Sequence, residues 1–362
     1  MRIIITSPSP DPTKNVSGLS SVTRFIIENN PHQDYVHFEL GRKDGEKGGI
    51  HRVNSVIRRF KDWKLLLKTY PDALVHYNFP LEKPSIIRDT PFMRAALKNG
   101  NRMVIHIHGG VYLTSESIPF PFRQMLNYVF SWHVPFITLS ETEAETLRKR
   151  FHAKHVVSLP NCVDLKDAQT FQRIYKEDSI PLTIGYLGRI APTKGMDYLL
   201  QACCMLKESQ IPFCLKIAGA EEQEGQYLPQ FRKALGKQFV YAGIVSGEKK
   251  KSFLQSLDVL AMPTFFEGLP MSLLECMSYG VVSVITPVGS IPTVVTDQQN
   301  GLLIKVKDTP SIVDAITYLH TNRGKLKLMS SAARNYIFDH FDSDFYIDKL
   351  NNIYSTCSCH SN

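Results

Sequence analysis

The chain has no apolar stretch near the roughly 20 residues that a helix needs to cross a bilayer, and Met1-Arg2-Ile3-Ile4-Ile5-Thr6-Ser7-Pro8 holds too short an apolar run for a secretory signal. Cysteine is scarce: seven residues, an odd number, with no Cys-x-x-Cys pair. Most lie in apolar surroundings, which points away from a disulfide framework or a zinc site and toward buried thiols in a reducing compartment. A cytoplasmic protein is therefore expected. Internal repeats and low-complexity tracts are also lacking, so the organisation has to be read from strand and helix signals. With 362 residues and 43% hydrophobic content, two cores of ordinary size can be buried, and the length suggests two domains.

Those signals alternate. Arg2 to Thr6 reads as a buried strand, followed by a polar loop from Ser7 to Ser17, Gly18, and a helix from Leu19 to Glu28. Ala73 to Tyr77, Met103 to His108 and Phe136 to Leu139 are further strands, and Glu141 to Phe151 is a charged helix. Residues 165–180 are polar and poor in aliphatics, as a linker would be. Beyond it, strands are expected at 182–187, 213–218, 239–242, 258–262, 281–285 and 301–304. Strands separated by helices predict an α/β protein with a parallel sheet in each half.

Two segments carry chemistry. In Phe266-Glu267-Gly268-Leu269-Pro270-Met271-Ser272-Leu273-Leu274-Glu275, a Gly-Leu-Pro turn opens an apolar run, and Pro270 suits a first helical turn. Unpaired amides backed by a helix dipole attract phosphate, while Glu267 and Glu275 could face one pocket mouth and accept hydrogen bonds from neutral hydroxyls. A sugar joined to a phosphate suits that pairing; a capped core helix with two solvated acids is the alternative. The second segment, Ile184-Gly185-Tyr186-Leu187-Gly188-Arg189-Ile190-Ala191-Pro192-Thr193-Lys194-Gly195, is an apolar strand entering a glycine turn with two cations, Arg189 and Lys194. Arginine grips phosphate through paired N–H bonds and lysine acts as a point charge. Thr193 or its neighbours could begin the helix Met196 to Lys207.

Taken in order, Gly188-Arg189, Lys194-Gly195, Glu267-Gly268 through Glu275, and Ser278-Tyr279-Gly280-Val281-Val282 resemble the group 1 retaining glycosyltransferases of GT-B fold (family 4-like). Leu159-Pro160-Asn161-Cys162-Val163-Asp164, Leu215 to Gly219, Val240 to Gly243 and Asp258 to Pro263 follow the same family order, so the likeness covers most of the chain. It implies two Rossmann-like domains whose parallel sheets face a central cleft: residues 1–165 on the acceptor side, a linker at 166–180, and a nucleotide-sugar domain at 181–342. A last helix, about 343–354, would pack back on the first domain, leaving 355–362 as a loose tail.

The resemblance also implies roles. The donor would be a nucleoside-diphosphate sugar of UDP or GDP type, with no other cofactor, and the acceptor a glycan or lipid-linked precursor of surface polysaccharide, lipopolysaccharide or capsule. Arg189, Lys194 and the amides near Gly268, Leu269 and Pro270 would stabilise the departing diphosphate, Glu275 would hold the ribose and Glu267 the sugar hydroxyls. Gly188 and Gly18 would admit backbone close to the donor. Same-face attack requires no enzyme nucleophile, and none is named. His108, ending Val104-Ile105-His106-Ile107-His108-Gly109-Gly110, stands at the family's cleft histidine, with His106 on the same strand face as the competing, buried candidate. His76 and Asn78 either help bind the acceptor or serve the core. Departures are Ser17-Gly18 for a Gly-Gly pair, Thr293 for a glutamate after Gly-x-x-Pro, and Cys162 for an interdomain glycine.

Asp342-Ser343-Asp344 is a literal Asp-x-Asp, but two acids opening a helix complement its dipole without an ion, and with Arg189 and Lys194 available no metal is expected. The net charge of +8 is concentrated in residues 1–178, which hold 25 Lys and Arg against 18 Asp and Glu. Arg42 to Lys68 holds nine of those bases: Arg42, Lys43, Lys47, Arg52, Arg58, Arg59, Lys61, Lys64 and Lys68. Val56, Ile57, Phe60, Trp63 and Leu67 recur among them at helical spacing. Such a helix, about 54–69, either lies on an anionic bilayer at the inner face of the cell membrane or covers the first sheet. Nothing accompanies it that would recognise nucleic acid. A non-catalytic partner subunit that binds the nucleotide sugar, and a fold relative that epimerises or hydrolyses it, are the rival functions.

Overall fold

Ile3, Ile4 and Ile5 are all fully buried, so the first strand is covered on both faces, as the strands of an all-parallel sheet are. The computed structural model describes residues 1–357 apart from 12, 13, 16, 42–49, 116, 176 and 178. Its first sheet contains β1 (Arg2–Ser7), β2 (Asp34–Glu39), β3 (Leu74–Phe79), β4 (Met103–Ile107), β5 (Phe136–Thr138) and β6 (Val156–Ser158). Their order is β2-β1-β3-β4-β5-β6 and every pairing is parallel. The second sheet contains β7 (Leu182–Leu187), β8 (Phe213–Ala218), β9 (Phe239–Gly243), β10 (Val259–Met262), β11 (Val282–Ile285) and β12 (Gly301–Leu303). Its order is β12-β11-β10-β7-β8-β9, again parallel throughout. Two strands were not read from the sequence: β2 is a half-buried edge strand and β6 has three residues, so neither shows a long apolar run.

The chain divides into two compact units, residues Met1–Asn161 with Asp344–Asn362, and Cys162–Ser343. In the first, Trp63 is fully buried and its indole N–H donates to the Phe92 carbonyl at 2.9 Å. It lies on the helix Ile50–Thr69. Trp63 and Leu67, with Val56 and Phe60 packed against the same core, are therefore spent on this unit's interior, and Trp63 offers nothing to a membrane. Arg58, Lys61, Lys64 and Lys68 remain exposed, with Ile57 and Leu65 beside them. Arg42, Lys43 and Lys47 lie outside the described residues. The last helix, Ser343–Thr356, belongs to this unit: Asn351 exchanges hydrogen bonds with Asn30, and Tyr354 bonds His76. It extends past Tyr354 into the stretch expected to be a loose tail, whose residues 358–362 are outside the described set.

In the second unit, Gly185 lies in the middle of fully buried β7, and a Cβ there would meet a Leu257 methyl at 2.2 Å. The polar stretch expected as a linker contains a short helix, Lys166–Thr170. Arg334 donates to the carbonyls of Ala168 and Phe171, and Arg173 to those of Leu257 and Tyr279, which fastens that stretch to the second unit.

Candidate functional site

In an open parallel sheet, ligands bind beyond the carboxyl ends of the strands where the strand order reverses. In the second sheet the reversal falls between β7 and β10: the chain runs from β7 outward to β9, then returns to the other side of β7. Both chemistry-bearing segments leave the sheet there.

The turn after β7 is drawn tight by backbone contacts that only glycine permits. A Cβ on Gly219 would sit 1.8 Å from the Gly188 carbonyl oxygen, and one on Gly195, at φ +73°, would sit 2.0 Å from that of Pro263. Buried Tyr186 donates its hydroxyl to the Arg189 carbonyl at 2.6 Å, and burial holds that phenol well above its usual pKa. Arg189 is half-buried with its guanidinium 3.9 Å from Glu222. Pro192–Lys194 forms one tight turn, and after Gly195 the helix runs Met196–Glu208, starting where the sequence placed it. The Phe265 amide donates to the Thr193 carbonyl, which ties the two loops together.

Lys194 and Glu267 are in contact, with Nζ 2.5 Å from Oε1. Thr264 donates its hydroxyl to the same oxygen at 3.2 Å. The family resemblance assigned this lysine and this carboxylate to different parts of a ligand; in the structure they hold each other. Pro270 precedes the helix Met271–Ser278 as its cap, one position earlier than expected. The first amides of that helix still lack intrahelical partners, because no turn precedes them. Leu269 is buried, and the Gly268 carbonyl accepts from the Ser290 amide at 2.9 Å. Gly289, at φ +60°, is required beside this turn, since a Cβ would meet the Glu267 carbonyl oxygen at 2.1 Å. Thr293, in the place of the family's glutamate, donates its hydroxyl to the Ser290 carbonyl.

Glu275, within the helix Met271–Ser278, pairs with Lys250 at 2.6 Å. The two glutamates thus have separate lysine partners. Lys250 was not identified from sequence, because it sits in the run Lys249-Lys250-Lys251, where periodicity singles out no member.

The first unit contributes a different group. Gly18 opens the helix Gly18–Asn29, and a Cβ there would meet nothing within 4 Å, so the fold itself does not demand glycine at that position. Ser17 caps this helix with an ordinary extended backbone, φ −72°, its hydroxyl accepting from the Ser20 amide, so it needs no positive φ. His108, just past β4, is half-buried and its ring lies tilted against that of His106, 4.0 Å between centroids. Its Nε2 lies 2.6 Å from Asn78 Oδ1. His106 is fully buried and bonds His76, which bonds Tyr354. Burial pulls the pKa of His76 and of His108 down to about 3 and holds that of His106 well below its ordinary value, so all three rings are neutral.

Residues 167–336 match the family model described as glycosyl transferases group 1. Among known proteins, the chain is 24% identical over 284 residues to the UDP-Gal:α-D-GlcNAc-diphosphoundecaprenol α-1,3-galactosyltransferase of Escherichia coli, covering 72% of this chain and 70% of that one. An uncharacterized glycosyltransferase of Methanocaldococcus jannaschii is 25% identical over 171 residues, 47% of this chain and 43% of its own. One from Haemophilus influenzae is 25% identical over 215 residues, 59% and 58%. The chain thus spans about half the length of these last two relatives. Among solved structures, sucrose-phosphate synthase from Thermosynechococcus elongatus superposes with a TM-score of 0.79 at 16% identity, covering 99% of this chain and 100% of that one. Anabaena HepE in complex with UDP-glucose gives 0.73 at 14% identity, covering 98% and 100%. The fold is GT-B.

Proposed function

Residues 167–336 are a group 1 glycosyltransferase domain, and from that premise we propose that the protein is a retaining, metal-independent glycosyltransferase. It moves a sugar from a nucleoside diphosphate, of UDP or GDP type, to a glycan or lipid-linked acceptor in surface-polysaccharide synthesis. The observation that carries the reading is the Lys194–Glu267 pair at the strand-order reversal of the second sheet, beside the start of the helix Met271–Ser278.

Breaking the bond between an anomeric carbon and a diphosphate puts negative charge on the departing phosphate. Lys194, Arg189 and the amides at the helix start supply fixed positive charge and dipoles for it without reorganising in the reaction. In the free protein Glu267 neutralises Lys194; when donor binds, the lysine turns to phosphate and the carboxylate accepts from the sugar hydroxyls. Glu275, paired with Lys250, takes the ribose hydroxyls. Gly18 and His108 serve the transferred sugar or the acceptor. The named substrates of the Escherichia coli relative, a UDP-sugar and a diphosphoundecaprenol-linked acceptor, support this substrate class. The exposed bases of the helix Ile50–Thr69 would hold the protein against anionic lipid at the inner face of the cell membrane, where a lipid-linked acceptor resides.

The test is a panel of nucleoside diphosphates and their sugars, scored by thermal shift and then by donor turnover with chelator present. A ligand at a hundred times its Kd adds about 2.7 kcal/mol to stability. One nucleobase should stand out, and its sugar should turn over without added metal. Failure of every diphosphate to stabilise the protein would refute donor binding; turnover that needs manganese would refute metal independence.

A further inference from the structure

The contacts of Asn78 fix which nitrogen of His108 carries its proton. Asn78 lies near the end of β3, in the interior of the first sheet, and is 4% exposed. One atom of its side-chain amide is 2.7 Å from the Thr6 carbonyl oxygen. A carbonyl oxygen only accepts, so that atom must be the nitrogen, which also reaches Thr23 Oγ1 at 3.2 Å. The amide orientation therefore follows from chemistry, and the carbonyl end, Oδ1, is the one that faces His108 at 2.6 Å. Oδ1 also only accepts. A neutral imidazole that meets an acceptor with Nε2 must hold its single proton on Nε2, and its Nδ1 is then a bare lone pair.

We propose that Asn78 is a positioning residue that locks His108 as the Nε2–H tautomer, so that the ring presents Nδ1 as a hydrogen-bond acceptor for a hydroxyl of the transferred sugar or acceptor. The substrate half of this rests on the reading of His108 given above; the tautomer half does not.

The surroundings keep the arrangement from being lost to protonation. The titratable groups facing His108 are the imidazoles of His106 and His76, with the phenols of Tyr354 and Tyr35 beyond them. A second proton on His108 would place a half-buried cation against two neutral rings, with no carboxylate among the described residues that face it. The Asn78 backbone amide donates to Thr6 Oγ1 at 3.1 Å, so both ends of the residue are tied to β1 and the side chain cannot rotate to present its nitrogen to the histidine.

The test begins with the unaltered protein. Long-range 15N–1H correlation spectra of the ligand-free chain, with the His108 signals assigned by their loss in His108→Gln, should show the proton on Nε2 and an unprotonated Nδ1 from pH 8 down to pH 5. In Asn78→Ala the same spectra should show exchange between both tautomers, with kcat lowered about tenfold or more and the KM for donor little changed. Asn78→Asp restores an acceptor but adds a charge. It should keep the proton on Nε2, bind a second one at markedly higher pH, and recover turnover only on the alkaline side of that new pKa. A proton on Nδ1 in the unaltered protein overturns the tautomer assignment whether or not the protein transfers sugar. Unchanged kcat in Asn78→Ala overturns the positioning role. Absence of donor turnover in every form, with the tautomer as stated, overturns the transferase reading and leaves the tautomer lock standing.

Discussion

Lys194 holds the Glu267 carboxylate and the Phe266 carbonyl and, on the proposed reading, turns to phosphate when donor binds. Its side chain is 24% exposed and that of Glu267 13%, so the pair is shielded enough for its field to reach a bound phosphate, yet open enough to exchange partners. Lys194→Ala should lower kcat/KM for donor by about a hundredfold to a thousandfold. Steady-state kinetics with the identified donor will check this, and an unchanged value would remove the charge-stabilising role. Lys194 and Glu267 were each legible in the sequence because glycines flank them, Gly195 on one side and Gly268 on the other. Their mutual contact was not, because they lie 73 positions apart and only the adjacency of β7 and β10 joins them. Asn78 was visible as a polar residue in a strand, but its hold on His108 depends on the pairing of β3 with β4.

At the scale of elements, the loop after β11 buttresses the Glu267–Pro270 turn. Gly289 adopts φ +60°, where a Cβ costs about 1–2 kcal/mol, and the same Cβ would collide with the Glu267 carbonyl. Gly289→Ala should therefore lower the melting temperature and weaken donor binding together, since the two loops can separate only by displacing the turn that presents Glu267. Calorimetric titration with nucleoside diphosphate and a thermal melt measure the two effects; tight binding in a destabilised variant would show that the loop supports the fold alone. The helix Glu141–Phe151 lies where the sequence placed it, and its start signals are local: Ser140 caps it and Glu143 lies three positions on. The Ser140 hydroxyl accepts from the Glu143 amide, and the Glu143 carboxylate reaches one residue beyond the cap to accept from the Leu139 amide.

On the scale of the whole molecule, both tryptophans, Trp63 and Trp132, fall in the first unit, as does the column of His76, His106 and His108. Tryptophan fluorescence therefore follows the unit that carries the histidines. Each ring is neutral when folded, with a pKa depressed from the ordinary 6.5, to about 3 for His76 and His108. The unfolded chain binds protons below pH 6.5 and the folded chain does not, so the contribution to stability is complete above pH 6.5 and is lost as pH falls toward 3. Each histidine contributes about 1.4 kcal/mol per pH unit in that window. The urea midpoint should thus drop steadily between pH 7 and pH 4, and a flat midpoint from pH 7 to pH 5 would show that the rings are protonated inside the fold. Charge is a second molecular property: with the surplus of bases in residues 1–178, sedimentation with vesicles containing anionic lipid should exceed that with neutral vesicles and fall as salt rises. Equal binding to both would assign the helix Ile50–Thr69 to covering the sheet and nothing more. No described helix is long and apolar enough to cross a membrane.

Ten of the twelve strands among the described residues and the two glycine-framed segments were legible in the sequence, because apolar runs and glycine turns act over a few residues and leave a local signature. Strand order within each sheet, the pairing of Lys194 with Glu267 and of Lys250 with Glu275, the burial of Trp63 and the neutral histidine column were decided only by tertiary structure. Those features depend on desolvation and on contacts between residues far apart in the chain, and neither quantity is a property of any short segment.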